Sequence, residues 1–367
     1  MTKLLQQSSL RRHLARALEE DVRAIALEEG RRVGTPGHRI VEDFLKTRLA
    51  EIGCEPYDGD SFRLPYEVGG EKFTNLVGVV PGQNPKKRPL LIGAHYDSVI
   101  DAPCADDNAA AVAIALAVGE MAASHEALER DLVVAIFDAE EPPYFQSSAM
   151  GSNRFYKDQM KPEGVHAALV MDLVGHDISV TGEMLGAVPG IGGLLARLPG
   201  FGGKDLGVPF LSDLLFVTGA ESHPALSEIL SDHADPKGLK VLPTLNRYVG
   251  DMSDHGIFRR KGVPYLFLSC GRWAHYHEPT DTPERLNYKK MAAIACYAAL
   301  LLGLMDNRPM PRGKKEKTHD TLALEKRQLG RILGPARQPI LKLLGVGDIS
   351  TRKDMNRFVN ALMASGI

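Results

Sequence analysis

Cysteine is scarce in this sequence. Only four cysteines occur in 367 residues, and no two of them form a Cys-x-x-Cys pair. A cysteine-ligated zinc site would show such a pair, and a disulfide framework would need a denser set in a shorter chain. The sequence therefore indicates neither of these sites.

An excess of basic residues is also missing. Lys and Arg together number 44, against 46 for Asp and Glu, which gives a formal net charge of −2. A general nucleic-acid-binding protein shows a basic excess or a basic stripe. We therefore expect no nucleic-acid partner.

Long apolar runs are absent as well. A membrane-spanning helix needs about 18 consecutive apolar residues. The richest stretch, Met291 to Met305, is shorter and is typical of a buried helix. The first ten residues lack the apolar core of a signal peptide, and Arg11 and Arg12 follow them directly. We expect no membrane partner and a cytoplasmic location.

The composition is otherwise that of a folded protein. Hydrophobic residues make up 44% and charged residues 25% of the chain, which excludes disordered and low-complexity classes. Short apolar runs alternate with helical segments, and this alternation predicts an α/β sheet flanked by helices. The predicted strands are Phe73–Val80, Pro89–Ala94, Leu132–Phe137, Ala167–Leu173 and Val263–Ser269. The predicted helices are Leu10–Gly30, Arg39–Ile52, Asn108–Ser124, Ser152–Gln159 and Asn287–Leu304.

Acidic and imidazole side chains recur at the ends of these predicted strands. Ligands and catalytic groups in open α/β sheets collect outside the carboxyl ends of strands. Singly, each such segment has a plain structural interpretation, such as a surface His–Asp pair, an Asp N-cap, an acidic loop or a turn histidine. Five such coincidences in this order are improbable, so they predict one shared site. The segments are GAHYDS with His95 and Asp97, ADDN with Asp107, DAEEPP with Glu140 and Glu141, VMD with Asp172, and HYHEPTD with His277.

The chemistry of this set points to metal ions. Two imidazoles and several carboxylates, with no cysteine among them, suit a divalent ion such as zinc, manganese or cobalt. A carboxylate shared by two ions would hold them roughly 3.5–4 Å apart, as in two-metal hydrolases. We therefore expect two divalent metal ions per chain, zinc first, with manganese or cobalt as alternatives.

In residues and in order, the motifs of this sequence resemble those of the di-zinc aminopeptidase family of the bacterial leucyl aminopeptidases. The motifs are GAHYDS, ADDN, AEEPPYF, MGS, VMDLVG, SDHGIF and HYHEPTDT. Relatives of that family include glutamate carboxypeptidase, glutaminyl cyclase and the catalytically inactive transferrin receptor. The resemblance spans about residues 20–305. It implies a mixed, mostly parallel central sheet with helices on both faces.

The resemblance also implies which residues hold the metal. His95 and Asp172 would bind one zinc ion, and Glu141 and His277 would bind the other. Asp107, the second Asp of ADDN, would bridge both ions. All five ligands of the family are therefore present in this chain.

Three further residues receive catalytic roles from the resemblance. Glu140 would be the general base, Asp97 would orient His95, and Tyr276 would stabilise the oxyanion. Two small departures from the family pattern, at Asn108 and Gly256, remove no ligand.

The segment SDHGIF has two interpretations. Asp254 and His255 could organise the pocket, or Ser253 or Asp254 could cap the following helix. The sequence leaves both open.

The resemblance implies a metal-dependent exopeptidase, in the first place an aminopeptidase that hydrolyses the N-terminal bond of a peptide or aminoacyl substrate. One alternative is a glutaminyl cyclase-like acyltransferase that uses a single zinc ion. Another is a non-catalytic scaffold on the same fold, as in the transferrin receptor, although the retained ligand set argues against it.

The order of the motifs favours one catalytic domain. The ligands run from His95 to His277, so no cut between them leaves a complete site. We predict a catalytic domain over 1–305, a basic, proline-containing linker over 306–318 and a helical extension over 319–367. The extension could pack on the catalytic domain or form a homo-oligomer contact through Leu341, Leu344, Phe358 and Leu362.

Side-chain preference has no visible signature. The Gly- and Pro-rich stretch Gly182–Gly207 is predicted to be partly irregular, and the specificity loops are placed within Gly182–Arg247.

Overall fold

The computed structural model of the chain describes residues 8–125, 128–178, 180–181, 205–206, 212–233, 235–311 and 318–364. Within these ranges the strands form one nine-stranded sheet and one separate pair. In chain order the strands are β1 Glu55–Pro56, β2 Arg63–Val68, β3 Glu71–Val80, β4 Leu90–His95, β5 Leu132–Phe137, β6 Ala167–Met171, β7 Val180–Thr181, β8 Asp205–Leu206, β9 Leu214–Thr218, β10 Lys240–Thr244 and β11 Tyr265–Ser269.

The large sheet has the order β1-β3-β5-β4-β6-β11-β9-β10, with β2 paired to β3. Strands β5, β4, β6 and β11 are neighbours and run parallel. Strands β3 and β9 flank them and run antiparallel to them. The four inner strands therefore end at one edge of the sheet. This is the mixed, mostly parallel sheet that the resemblance implied.

The inner strands are continuous apolar runs because both faces of the sheet are covered. Every residue of β4, β5 and β6 is buried. Along β5, Leu132 and Val134 belong to the core on one face, and Val133 and Ala135 belong to the core on the other. The five strands predicted from sequence are confirmed to within two residues at each end.

Helices cover both faces of the sheet. The helices are α1 Ser8–Ile25, α2 Pro36–Glu51, α3 Ala110–His125, α4 Gly151–Arg154, α5 Pro224–Asp232, α6 Asn246–Val249, α7 His255–Arg260, α8 Tyr288–Asp306, α9 Leu322–Leu333, α10 Arg337–Leu343 and α11 Arg352–Ala364. Helices α1, α3 and α8 pack on one another on one face, and α7 packs on β11 and β6 on the other. Shorter helical turns are Ala105–Ala109, Phe155–Gln159, Ala220–Ser222, Pro283–Arg285 and Gly334–Ala336.

Local sequence explains where α2 begins. Thr35 lies at the N-cap, and its hydroxyl accepts a hydrogen bond from the backbone N–H of His38 at 3.2 Å. Pro36 occupies the first helical position, where no N–H is needed. The turn before α2 and the start of the helix at Pro36 are therefore fixed.

Among the described residues, one helix, α8, is long and apolar enough to cross a membrane by length and composition. Its 19 residues exceed the shorter apolar stretch noted in the sequence. However, 72% of its apolar window is buried inside the protein, where it packs against α1 and α3. Its burial is that of a core helix.

The C-terminal helices pack on the rest of the chain. Helix α9 lies against β10 and α5. Leu341, Leu344 and Phe358 are buried in a cluster of their own, against which Leu242 of β10 also packs. These three side chains therefore contact this same chain, while the side chain of Leu362 and most of Gly182–Gly207 lie outside the described parts.

Candidate metal centre

Five of the predicted site residues meet at the carboxyl edge of the inner strands. His95 ends β4, Asp107 lies in the turn before α3, Glu141 follows β5, Asp172 follows β6, and His277 follows β11. The first four are buried. The side chain of His277 is 28% exposed and forms the solvent side of the cluster. The structure thus brings together all the residues predicted as ligands.

The ligand atoms fall into two groups that share Asp107. In the first, His95 Nε2 lies 3.4 Å from Asp107 Oδ1 and 3.8 Å from Asp172 Oδ1. In the second, His277 Nε2 lies 3.2 Å from Asp107 Oδ2 and 3.4 Å from Glu141 Oε2. Ligands at the usual zinc distances in a tetrahedron lie roughly 3.3 Å apart. Both groups have spacings suited to one ion each.

A different grouping is possible by distance alone, since His95, Asp107 and Glu141 each offer an atom within 4.8 Å of the others. The 3.4 Å contact with His277 nevertheless assigns Glu141 to the second group. The two oxygens of Asp107 point to different imidazoles, which is the arrangement of a bridging carboxylate.

Unpartnered buried atoms test whether the site fits a cation. Each buried polar atom left without a partner costs about 1–3 kcal/mol. Within the described part of the protein, several buried atoms at the site have no hydrogen-bond partner. Two cations, one within each group of ligands, would satisfy them. These atoms are His95 Nε2, Asp107 Oδ2, Glu141 Oε1, Asp172 Oδ1 and His277 Nε2.

Asp97 links the two halves of the site. Its Oδ1 lies 3.3 Å from His95 Nδ1, on the ring side opposite Nε2, although the contact falls short of hydrogen-bond geometry. The same carboxylate accepts hydrogen bonds from the backbone N–H groups of Glu140 and Glu141, both at 3.0 Å. Asp97 therefore holds the backbone of both glutamates and lies beside the ring of His95, while its role in orienting that ring stays a prediction.

Glu140 lies beside the first group. Its Oε2 is 3.8 Å from His95 Nε2, the same distance as Asp172 Oδ1, so distance from His95 does not separate the predicted base from the predicted ligand. Its Oε1 has no hydrogen-bond partner within the described residues. Burial, together with the charge of Asp172, raises the pKa of Glu140 well above its usual range. Such a carboxylate holds a proton readily.

Tyr276 stacks on the ring of His277, with ring centroids 3.8 Å apart. The guanidinium of Arg272 lies 4.9 Å from the centre of the Tyr276 ring. Burial and the charges of Asp107 and Glu141 raise the pKa of Tyr276, so its hydroxyl stays protonated and can donate. Its contact with substrate stays a prediction.

Asp281 is a supporting residue that sequence reasoning did not assign. Its carboxylate accepts hydrogen bonds from the backbone N–H groups of Asp106 and Asp107, at 2.9 to 3.1 Å. Asp106 in turn contacts the ring of His176 at 2.6 Å. The signal for Asp281 was its place in HYHEPTDT, four residues after His277. In the fold, the turn after His277 places the Asp281 carboxylate where it accepts a hydrogen bond from the backbone N–H of the bridging residue Asp107.

Asp254 corrects one alternative from the sequence. It occupies the N-cap position of α7 but makes no capping hydrogen bond with its side chain. The residue is fully buried, and neither carboxylate oxygen has a hydrogen-bond partner in the described chain. Burial, partly opposed by His95, raises its pKa to about 7. The helix-cap interpretation of Asp254 is therefore wrong, and its carboxylate lies buried near the charged side chains of His95, Asp97 and Asp172.

Proton release is the expected signature of metal uptake. Burial disfavours the charged form of His277, but Asp107 and Glu141 outweigh it and raise the pKa of His277 to about 10. Burial raises the pKa of Glu141 to about 8. The ring of His277 is therefore protonated at pH 7 in the metal-free protein, and it must lose this proton to bind a cation.

We therefore expect at least one proton to be released per chain when zinc is added at pH 7, and zinc affinity to rise with pH until His277 is deprotonated. Calorimetric titration in two buffers of different ionisation enthalpy counts the protons. Equal heats in both buffers would contradict the expectation. The His277→Ala variant should release fewer protons than the wild type.

The chain is similar to known proteins in sequence and in fold. The uncharacterized protein YfbL of Escherichia coli is 29% identical over 244 residues, which cover 62% of this chain and 69% of YfbL. The LapA aminopeptidase of Legionella pneumophila has a similar structure, with a TM-score of 0.57 and 15% identity over 82% of this chain and 74% of LapA. A glutaminyl cyclase of Bacteroides thetaiotaomicron gives a TM-score of 0.56 and 14% identity over 80% of this chain and 98% of its own.

The similarity to the two solved structures shows the fold alone. The family is shown by a comparison of the sequence with family models. The model of peptidase family M28 matches residues 75–181 and 205–302, more than half of the chain. These ranges contain every residue of the candidate metal centre. The chain therefore belongs to peptidase family M28.

Proposed function

We propose that this chain is an aminopeptidase that holds two divalent ions, with zinc as the preferred metal. The observation that carries the proposal is the bridging position of Asp107, whose two oxygens lie 3.4 and 3.2 Å from two different imidazoles. A site for one ion would not need a carboxylate shared in this way. Nitrogen and carboxylate donors without thiolate fit zinc and leave manganese and cobalt as alternatives.

When bound, two such ions would lower the pKa of a water molecule and polarise the scissile carbonyl. The residues of the chain supply the remaining steps. Glu140 accepts the proton of the attacking water and returns it to the leaving amine. Asp97 keeps Glu140 in place through its backbone N–H. The hydroxyl of Tyr276 donates to the developing oxyanion.

A free amino terminus on the substrate is favoured by charge. The site gathers more carboxylates than the ligand set supplies, because Asp97, Glu140 and Asp254 are buried beside the ligands, and bound cations would favour their ionised form. An ammonium group is attracted to such a surplus, whereas a substrate carboxylate is repelled by it. This asymmetry supports cleavage from the amino end of a peptide.

The test combines metal analysis with a substrate panel. We expect two equivalents of metal per chain and hydrolysis of aminoacyl anilides and short peptides, with no hydrolysis of the same compounds after N-acetylation. The matched N-acetyl compound is the control, since acetylation removes the positive charge of the amine and keeps the scissile bond. Equal rates on both would overturn the aminopeptidase assignment.

The two rival functions give different results in the same panel. A glutaminyl cyclase would release ammonia from a peptide with N-terminal Gln and leave the chain uncut, and the structural similarity to such an enzyme makes this arm necessary. A scaffold protein would bind no metal and turn over nothing.

A further inference from the structure

Residues 30–38, which form the turn before α2 and its first three residues, touch the candidate metal centre from outside the family match. That match begins at residue 75. The segment nevertheless contacts two of the loops that carry predicted ligands, namely residues 95–107, which follow β4, and residues 138–141, which follow β5. We call residues 30–38 the N-terminal clamp.

Arg31 is the centre of the clamp. It is fully buried, and its guanidinium donates to four backbone carbonyls of the 95–107 loop. Its backbone N–H also donates to Ser98 Oγ at 2.9 Å, and Ser98 N–H donates back to the Arg31 carbonyl at 3.3 Å. The four acceptors are Tyr96 O at 2.6 Å, Pro103 O at 2.5 Å, Cys104 O at 2.8 Å and Asp107 O at 3.0 Å.

This pattern ties the two ends of the loop to one rigid group. Tyr96 lies between His95 and Asp97, and Asp107 is the bridging residue itself. Only the planar guanidinium has donors fanned out in one plane so that it can reach several carbonyls at once, whereas an ammonium presents three donors at one point. Arg31 thus fixes the distance between the first imidazole and the bridging carboxylate.

His38 makes the second contact of the clamp. A hydrogen bond of 2.8 Å joins its Nε2 to Asp138 Oδ1, and both residues are buried. Asp138 also accepts from the backbone N–H groups of Thr74 and Ala139, both at 2.8 Å. The ring of His38 stacks on Tyr96 at 4.9 Å, so the two contacts of the clamp meet. His38 therefore holds the start of the loop that ends in Glu140 and Glu141.

Close backbone packing holds the clamp itself. A Cβ at Gly30, where φ is +69°, would lie 2.6 Å from the carbonyl oxygen of Ile100. A Cβ at Gly37 would lie 2.0 Å from the carbonyl oxygen of Gly30. Glycine is required at both positions, because the chain passes directly against the loop and against itself.

We propose that Arg31 and His38 are positioning residues that set the metal-binding geometry of the site, with Arg31 acting on both ions through Asp107 and His38 acting on the ion held by Glu141 and His277. The proposal rests on the proposed two-ion function. It assigns part of the active site to a segment that the family model leaves out.

The experiment measures Co²⁺ binding to the metal-free full-length protein by visible absorption and by competition with a chelator. We expect Arg31→Lys to bind both equivalents of Co²⁺ about 10–100-fold more weakly and to show an altered spectrum, as for other residues that orient ligands. We expect His38→Ala to weaken one equivalent and leave the other unchanged, and His38→Gln to restore it, because the amide can donate to Asp138.

Arg32 offers a matched control. It is the next residue and contacts the same loop through Asp101 at 3.2 Å, but both side chains are more than half exposed. Exposed ion pairs of this kind contribute little to the stability of a fold. Arg32→Lys should therefore reproduce the wild-type spectrum and affinity.

Each outcome is decisive. Wild-type Co²⁺ affinity and spectrum in Arg31→Lys would overturn the role of Arg31, and equal binding by His38→Ala, His38→Gln and the wild type would overturn that of His38. If Arg31→Lys fails to fold, the His38 pair decides whether the clamp sets ligand geometry. Failure of the wild type to bind Co²⁺ would instead overturn the proposed function, so the two failures are distinguishable.

Discussion

Glu140→Gln is expected to keep both metal equivalents and to lower kcat by about 10²- to 10⁴-fold, the usual contribution of a general base. Gln has the shape of Glu, but its amide cannot take a proton from water at neutral pH. Asp97 continues to hold the backbone of residue 140, since that hydrogen bond uses the main-chain N–H. Elemental analysis and steady-state kinetics on one preparation make the measurement.

Glu141→Gln is the matched control, because it makes the same chemical change one residue along the chain. Glu141 Oε2 lies 3.4 Å from His277 Nε2 and is a predicted ligand, so this variant should lose about one equivalent of metal. Near-wild-type kcat in Glu140→Gln with metal retained would remove Glu140 from the mechanism. Loss of metal instead would make Glu140 a ligand, a question that its 3.8 Å distance from His95 leaves to experiment.

Asp107→Ala is expected to abolish high-affinity binding of both ions and to leave no measurable turnover. Asp107 supplies one oxygen to each group of ligands, so its loss removes a donor from both. The backbone N–H of residue 107 can still donate to Asp281, so the turn before α3 is preserved. Metal content per folded chain, measured after gel filtration, tests the expectation.

His277→Ala serves as the comparison for Asp107→Ala. His277 belongs to the second group alone, and its loss should remove about one equivalent of metal. Two equivalents retained in His277→Ala would refute its assignment as a ligand. One equivalent retained in Asp107→Ala would show that Asp107 does not bridge.

The placement of the site could be predicted from sequence because it depends on local order. Each ligand motif follows an apolar run, and in parallel strands the ends of such runs converge at one edge. His95, Glu141 and Asp172 needed only the strand boundaries, which apolar runs mark well. The bridging role of Asp107 came from the family resemblance, since an Asp before a helix also suits a cap.

The supporting residues could not be predicted because their partners are far away in the chain. Arg31 contacts carbonyls more than 60 residues later, and the pair Arg31-Arg32 between two predicted helices gives no sign that one of them is buried. Asp254 suits a helix cap by sequence, and only its burial beside Asp97 and Asp172 shows that it belongs to the site. The three-dimensional contacts alone distinguish these residues from ordinary surface side chains.

Strands β2, β9 and β10 were missed for a different reason. Strands β2 and β10 lie at the edges of the sheet, so their residues alternate between buried and partly exposed, whereas β9 is a mostly buried run of five residues within the stretch Gly182–Arg247 that was assigned to specificity loops. Pro65 and Pro243 also interrupt β2 and β10, and proline is accepted there because an edge strand leaves some N–H groups unpaired. Apolar runs identify inner strands, and edge strands need other signals.

The inner position of β4, β5, β6 and β11 has a consequence for motion. These four strands lie between β3 and β9 and under helices on both faces, so their amides can exchange with solvent only when most of the fold opens. Local unfolding of these strands therefore cannot serve as the route by which substrate enters the site or product leaves it. Substrate and product would therefore reach the site from its solvent side, where the side chain of His277 is partly exposed, while the strands that end there stay as slow to exchange hydrogen as the deepest core.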